Sequence, residues 1–350
     1  MEAASTTRVG LARVRGTALR TALGLAVGAI LILTFLKLVN VSAVSRRLEH
    51  LSIGFAVMCG VAFLGAFVVR ALRWRCLLRP AEVGVGRAVA IYQVATFLNW
   101  LLPVRGGELA KSLLLRRTDG IPVSRSLATV SMDKAMDLLP AIVLVSLLPF
   151  VRLHLGRALW LLLISAMLVV GIGALVLLLA TWRRERALAL LKRPLAAVLP
   201  SGARQRVEPA VVTFVDTLLA LIRRPRLMCA AALYTAAAVA LDALFCLLAF
   251  RAVGVTIAVP VVLYGYTFYN LAFILPTPPG QVGSNELVGL LIFSGMFGMN
   301  RSGVGAMFLF SHPWTAVLMT TSGLLCLSLM GLSLRHTLRL ARDSKARADA

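Results

Sequence analysis

The sequence predicts an all-α polytopic membrane protein, with about six transmembrane helices plus two re-entrant hairpins arranged as an inverted repeat. Three observations carry that prediction. Hydrophobic residues make up 59% of the 350-residue chain, charged residues only 15%, and the mean hydropathy is +0.88; soluble domains average roughly 45–50% and 25%. A distinctive stretch occurs twice, 178 positions apart. The Lys and Arg residues gather on alternate ends of the apolar runs, as the positive-inside rule expects.

In the first copy of the stretch, residues 97–109, Phe97 and Asn99 lie on an apolar run ending at Leu102-Pro103, and Arg105, Gly106 and Gly107 lead to Glu108. In the second, residues 268–287, Phe268 and Asn270 lie on a run ending at Leu275-Pro276, and Pro278, Pro279, Gly280 and Gly283 lead to Glu286. Proline lacks the amide donor and glycine has too much backbone freedom for a helix interior. In a bilayer such a break is tolerated only where protein or a water-filled cavity satisfies the freed polar groups. One copy would read equally well as a surface loop. A broken apolar segment bearing a carboxylate in each half points instead to a transporter-type binding site.

Taken in order, residues 1–20 form a basic cytoplasmic arm with Arg8, Arg13, Arg15 and Arg20. The first membrane half, 21–181, opens with a run at 21–41 that is too long for a signal-peptide core and lacks a small-residue cleavage site. It reads as a first span, with Lys37 snorkelling near its far end. A second span at about 51–69 precedes a short aromatic and basic segment, Arg70 to Arg79, expected on the membrane surface. The first re-entrant element, 88–115, has arms at 88–102 and 109–115, each short of the roughly 20 residues a crossing needs. A third span at about 127–149 carries Asp133, Lys134 and Asp137, and a fourth follows at about 159–181. The linker 182–227 is rich in Arg, with an amphipathic helical piece at 207–222. The second half, 228–332, contains a fifth span at about 228–250 with Asp242 inside it. The second re-entrant element, 259–298, has a first arm long enough for a full crossing. A sixth span at about 303–332 contains His312-Pro313, and residues 333–350 form a basic cytoplasmic tail.

With the N-terminus in the cytoplasm, 29 of the 37 Lys and Arg residues fall on cytoplasmic segments, so both termini are expected there. Three spans then separate the two broken elements. The first enters from the cytoplasm and the second from outside, which is the inverted-repeat geometry of alternating access. The net charge of +23 is a topology signal plus attraction to anionic inner-leaflet lipid. Because the basic residues flank spans and form no separate domain, they argue against a nucleic-acid partner. Cys59, Cys76, Cys229, Cys246 and Cys326 are scattered without His clusters and read as small core residues, so neither a metal nor another cofactor is expected. The absence of a Walker-type loop argues against direct ATP drive.

The candidate binding residues are Arg105 as a headgroup phosphate contact, Glu108 and Glu286 as symmetric carboxylates for a cationic group or a proton, and Asn99, Asn270, Gly280 and Gly283 around them. Asp133, Lys134, Asp137, His312 and Asp242 form a supporting charge network. Asp133 and Asp137, four apart, share a helix face; at membrane depth such groups must face a cavity or one another. The plainer alternative is that Asp133, Lys134 and Asp137 sit near the interface and neutralise each other or Arg105. His312 lies 26 residues after Glu286 and Asp133 lies 25 after Glu108, so the duplication sets polar residues at matching places in the third and sixth spans. Tyr92, Gln93, Tyr264, Tyr266 and Tyr269 read either as a headgroup path or as interfacial belt residues.

These residues give the chain its resemblance, over roughly residues 20–332, to a flippase-like integral membrane family related to the transmembrane region of lysylphosphatidylglycerol synthase. The carriers are Asn99, Pro103, Arg105, Gly107 and Glu108, then Asp137, then Pro276, Pro279, Gly280, Gly283 and Glu286. Two positions depart from the family pattern: Asp133-Lys134 stands where Glu-Arg is common, and His312 where Arg is frequent. Losing the guanidinium weakens bidentate phosphate binding. The resemblance implies translocation of a lipid without aminoacyl-transferase activity, the lipid being an anionic or modified-headgroup phospholipid, a hopanoid or a polyprenyl lipid. With the Arg- and Ala-rich composition it implies a bacterial cytoplasmic (inner) membrane, and a homo-oligomer stays open. Two other classes compete. A membrane-embedded transferase using a lipid-linked donor would need carboxylates at a surface loop, where residues 40–50 offer only Glu49 and His50. A non-transporting scaffold for lipid synthesis leaves the duplicated glutamates unexplained.

Overall fold

Every regular element among the described residues is helical. The computed structural model describes residues 24, 26–101, 106–147, 168, 171, 185, 201–272 and 277–332. Helix α1 (Ala26–Leu38) turns by 90° into α2 (Val41–Glu49). The bend has a local cause. Asn40 is in extended backbone, and its Oδ1 accepts from the Ala43 amide at 3.1 Å and the Ser42 hydroxyl at 2.7 Å. That is an N-cap, which starts a new helix instead of continuing the old one. The stretch expected as an outside loop at 40–50 therefore holds a short helix.

Helix α3 (Ile53–Leu77) is 25 residues long and apolar enough to cross a membrane. It corrects the expected boundary at Arg70: the helix runs on for two more turns because Arg73 is buried and paired on its inner side, not lying on a surface. Helices α4 (Val85–Leu101) and α5 (Gly107–Asp119) are the arms of the first broken element. The first amides of a helix have no carbonyl within it. At Gly107 that donor goes to Asn99 Oδ1, 2.7 Å away on the preceding arm.

Helix α6 (Val123–Leu147) covers the third expected span, with Pro140 inside it. The fourth expected span lies outside the described residues, apart from positions 168 and 171. Helix α7 (Ser201–Ile222) contains the amphipathic piece, and α8 (Pro225–Ala252) is the second helix long and apolar enough to cross. The second broken element comprises α9 (Val259–Ala272), a 3₁₀ turn at Pro279–Gln281, α10 (Ser284–Leu290) and a π turn at Leu291–Met296. Helix α11 (Arg301–Leu329) closes the described chain with Pro313 inside it.

The helix starts repeat. Helices α3, α4, α5 and α6 begin at 53, 85, 107 and 123, and α8, α9, α10 and α11 begin at 225, 259, 284 and 301, so each start recurs 172 to 178 residues later. Each set runs long, short, break, short, long. The periodicity seen first in two short stretches thus extends over four helices.

By packing, the chain forms two compact units interleaved in sequence. The first draws on 1–63, 96–107 and 242–323, the second on 64–95, 108–241 and 324–350. In the first, Phe293 packs edge-on to Phe250 and tilted against Phe308, at centroid distances of 5.2 and 6.0 Å, and Gly265 makes room for its ring. A Cβ there would stand 2.5 Å from the Phe293 ring. In the second, Leu77, Met132, Leu221 and Ala231 join α3, α6, α7 and α8.

Candidate functional site

The charged residues of the second unit come together around α6. Asp133, with no exposed surface, accepts from Arg73 Nε at 2.8 Å and from Lys111 Nζ at 3.2 Å. Arg73 also reaches Asp137 Oδ1 at 2.6 Å through one terminal nitrogen and the Thr235 hydroxyl at 3.1 Å through the other. Its planar fork is what lets one side chain bind three partners on two helices. Lys134 Nζ lies 3.2 Å from Glu108 Oε1 and 3.7 Å from Asp137 Oδ2, and is about half exposed. The Lys111 ammonium stands 3.9 Å from the Tyr92 ring centre and 4.4 Å from that of Trp74, an aromatic cage that replaces part of its lost hydration.

Among the described residues, these ion pairs join three cations to three carboxylates. Removing charges from water costs several kcal/mol per ion and is offset only by good geometry with the remaining hydrogen-bonding capacity filled. Here that condition is met. The cluster locks α3, α5 and α6 to one another within this unit.

The second glutamate sits differently. Glu286 is buried on α10, its Oε1 2.5 Å from Nδ1 of His312 on α11. The other ring nitrogen, Nε2, lies 2.8 Å from the Gly280 carbonyl oxygen. A carbonyl only accepts, so Nε2 carries a hydrogen and donates it. At 2.5 Å a proton must also lie between Nδ1 and Oε1, so the pair is neutral overall whichever atom holds that proton. Glu286 Oε2 is buried and has no hydrogen-bond partner among the described residues. The Tyr269 hydroxyl donates to Asn285 Oδ1 beside it.

The turn that brings Gly280 to His312 is irregular. Gly280, Gln281 and Gly283 all have positive φ, at 65°, 59° and 76°. At Gly283 an added Cβ would stand 2.5 Å from the Gly28 carbonyl oxygen and 2.7 Å from the Ile32 amide nitrogen, so α1 crosses this turn at a distance only glycine permits.

Glu286 contacts a basic side chain 26 positions on, and so does Glu108, through Lys134. This moves the expected correspondence by one residue, because the counterpart of His312 is Lys134 and not Asp133. With the same offset of 178, Asp133 corresponds to Ser311, Asp137 to Thr315 and Lys111 to Gly289. Among the described residues, the first copy is ringed by charges paired with one another, whereas at these matched positions the second has one carboxylate and one imidazole.

The other expected residues are scattered. Asn99 caps α5, Asn270 is exposed on α9, and Asp242 is buried on α8. Arg105 lies outside the described residues. Arg73 and Lys111, central to the cluster, are among the 29 Lys and Arg residues that the positive-inside count places on cytoplasmic segments. A signal for Arg73 was present, since Val69 and Leu77 stand four residues to either side and continue an apolar helical row through it. Among the described residues no group of His, Cys, Asp and Glu forms a metal-binding set.

The family described as the lysylphosphatidylglycerol synthase TM region matches residues 21–323. A UPF0104 membrane protein of Pyrococcus horikoshii, PH1989, is 24% identical over 283 residues, covering 76% of this chain and 84% of that protein. No solved structure matches the chain.

Proposed function

Since the chain belongs to the family of the lysylphosphatidylglycerol synthase transmembrane region, we propose that it is a lipid translocase, moving a phospholipid or other polar-headgroup lipid between leaflets by alternating access. The single observation that carries this reading is Glu286, a buried carboxylate on a broken helix with one oxygen unengaged among the described residues. A buried acceptor left open is costly unless something fills it. An ammonium or hydroxyl of a lipid headgroup would supply the missing donor.

The repeat adds the mechanism. Two copies of a broken element with a Glu-to-base contact at the same spacing give two related half-sites, and an odd number of crossings between them would invert the second. In this scheme the Glu286 half-site takes the headgroup and the Glu108 cluster holds its own element in place. Arg105, on the first turn, is assigned to the headgroup phosphate.

The test is leaflet exchange in proteoliposomes, read with fluorescent anionic and amine-bearing phospholipids and a membrane-impermeant quencher. Glu286→Gln should slow exchange at least about tenfold, the scale of one lost charge-assisted contact, and Glu286→Gln with Glu108→Gln should abolish it. Exchange unchanged in the double variant, with its fold intact, would exclude the mechanism. So would the absence of exchange for every anionic, amine-bearing and polyprenyl lipid tried.

A further inference from the structure

The second unit contains a cavity of about 730 Å³ between the α5–α6 turn and α7, and neither glutamate is among its described lining residues. Its size falls within the roughly 300–1,000 Å³ of small-molecule sites. Leu127 from α6 and Ala210, Val211 and Phe214 from α7 give it apolar walls. Among the described residues the polar side chains on it are Arg116, from the last turn of α5, and Ser124, from the first turn of α6.

The chemistry of these walls narrows the occupant. Among the described residues no acidic side chain lines the cavity, and Asp119, near it in sequence, is held by Arg87 at 2.6 Å. Arg116 is thus the one charged group among the described lining residues, and its guanidinium suits a phosphate. The first amides of α6 add weaker donors: the hydrogen bond from Ser126 N to Pro122 O opens that helix and leaves the amides before it without an intrahelical acceptor. A sugar phosphate or nucleotide would need several polar partners for its ring, and an extended peptide would need partners for its backbone amides; Ser124 supplies one hydroxyl. An acyl chain needs none. Basic pockets beside membrane helices fit lipid headgroups for this reason.

We propose that this cavity is a binding site for an anionic phospholipid, with the phosphate on Arg116 and an acyl chain between α6 and α7. None of its described lining residues belongs to the Glu286 half-site, and its occupant need not be the lipid that is moved. A lipid seated there links α7, which packs with α3, α6 and α8 in this unit, to the end of α5.

The test uses the full-length protein in detergent, incubated with dioleoyl phosphatidylglycerol or dioleoyl phosphatidylcholine and examined by native mass spectrometry. The expected result is a one-to-one phosphatidylglycerol adduct, with phosphatidylcholine retained at least about fivefold less. Arg116→Ala should weaken the adduct about tenfold, in line with one charge-assisted contact, while Arg116→Lys keeps most of it. Ala210→Trp should remove it by filling the cavity. Arg116 is exposed, so its replacement leaves the fold intact even if the tryptophan variant misfolds. Equal retention of the two lipids, an adduct indifferent to Arg116→Ala, or a co-purified polypeptide displaced by Ala210→Trp would each overturn the assignment. None of these readouts depends on lipid exchange, so this proposal and the translocase reading can fail separately.

Discussion

Asp133 is the residue on which most of the described charge depends. Replacing it with Ala would leave Arg73 and Lys111 buried without their shared carboxylate, and removing one partner of a buried pair costs about 3–5 kcal/mol. Asp133→Ala is therefore expected to lower the unfolding free energy by that amount, measured by denaturant titration in micelles. Lys134→Ala should cost less than about 1 kcal/mol, because its side chain is half exposed and its pairs are screened. Equal costs would mean that the cluster is not the lock its geometry describes. At this scale the sequence was half legible. Asp133, Lys134 and Asp137 stood out as charges within an apolar run, whereas Arg73 and Lys111 resembled the basic residues that flank every span. What separates them from true flanks is hydrogen bonding to residues 22 to 162 positions away, which no local pattern contains.

At the level of elements, the two breaks were legible because proline and glycine act locally. Their closure was not, because it depends on how a turn meets a neighbour. Gly280 and Gly283 both need a positive φ, which costs a residue with a side chain roughly 1–2 kcal/mol. They differ in surroundings. At Gly280 the nearest atom to an added Cβ would be a Trp100 ring carbon at 3.6 Å, whereas at Gly283 it meets the backbone of α1. Gly280→Ala should thus cost about the conformational term alone, and Gly283→Ala should be distinctly worse, failing to accumulate as folded protein in size-exclusion profiles. If both variants behave alike, the close approach of α1 to this turn is not a constraint. The Asn40 cap shows the converse case. A capping residue was in plain view, but the apolar run on either side of it hid the helix end.

For the whole molecule, composition was enough to identify a helical membrane protein, and a 178-residue period anticipated the recurrence of four helices. Orientation rests on the Lys and Arg distribution. A cytoplasm-active reporter fused after residue 350 should be active and a periplasm-active one silent; the opposite result would reverse the assignment of every segment. Setting His312 beside Asp133 departs by one residue from that period, which pairs His312 with Lys134, and the Glu108–Lys134 and Glu286–His312 contacts agree with the period. The fit of Gly283 against Gly28 has a further consequence, in time and not in space. These residues are 255 positions apart, so at roughly 5–20 residues per second of synthesis α1 waits on the order of ten to fifty seconds for the turn that covers it. During that interval the backbone around Gly28 must be covered by lipid, by other early segments of the chain or by the insertion machinery.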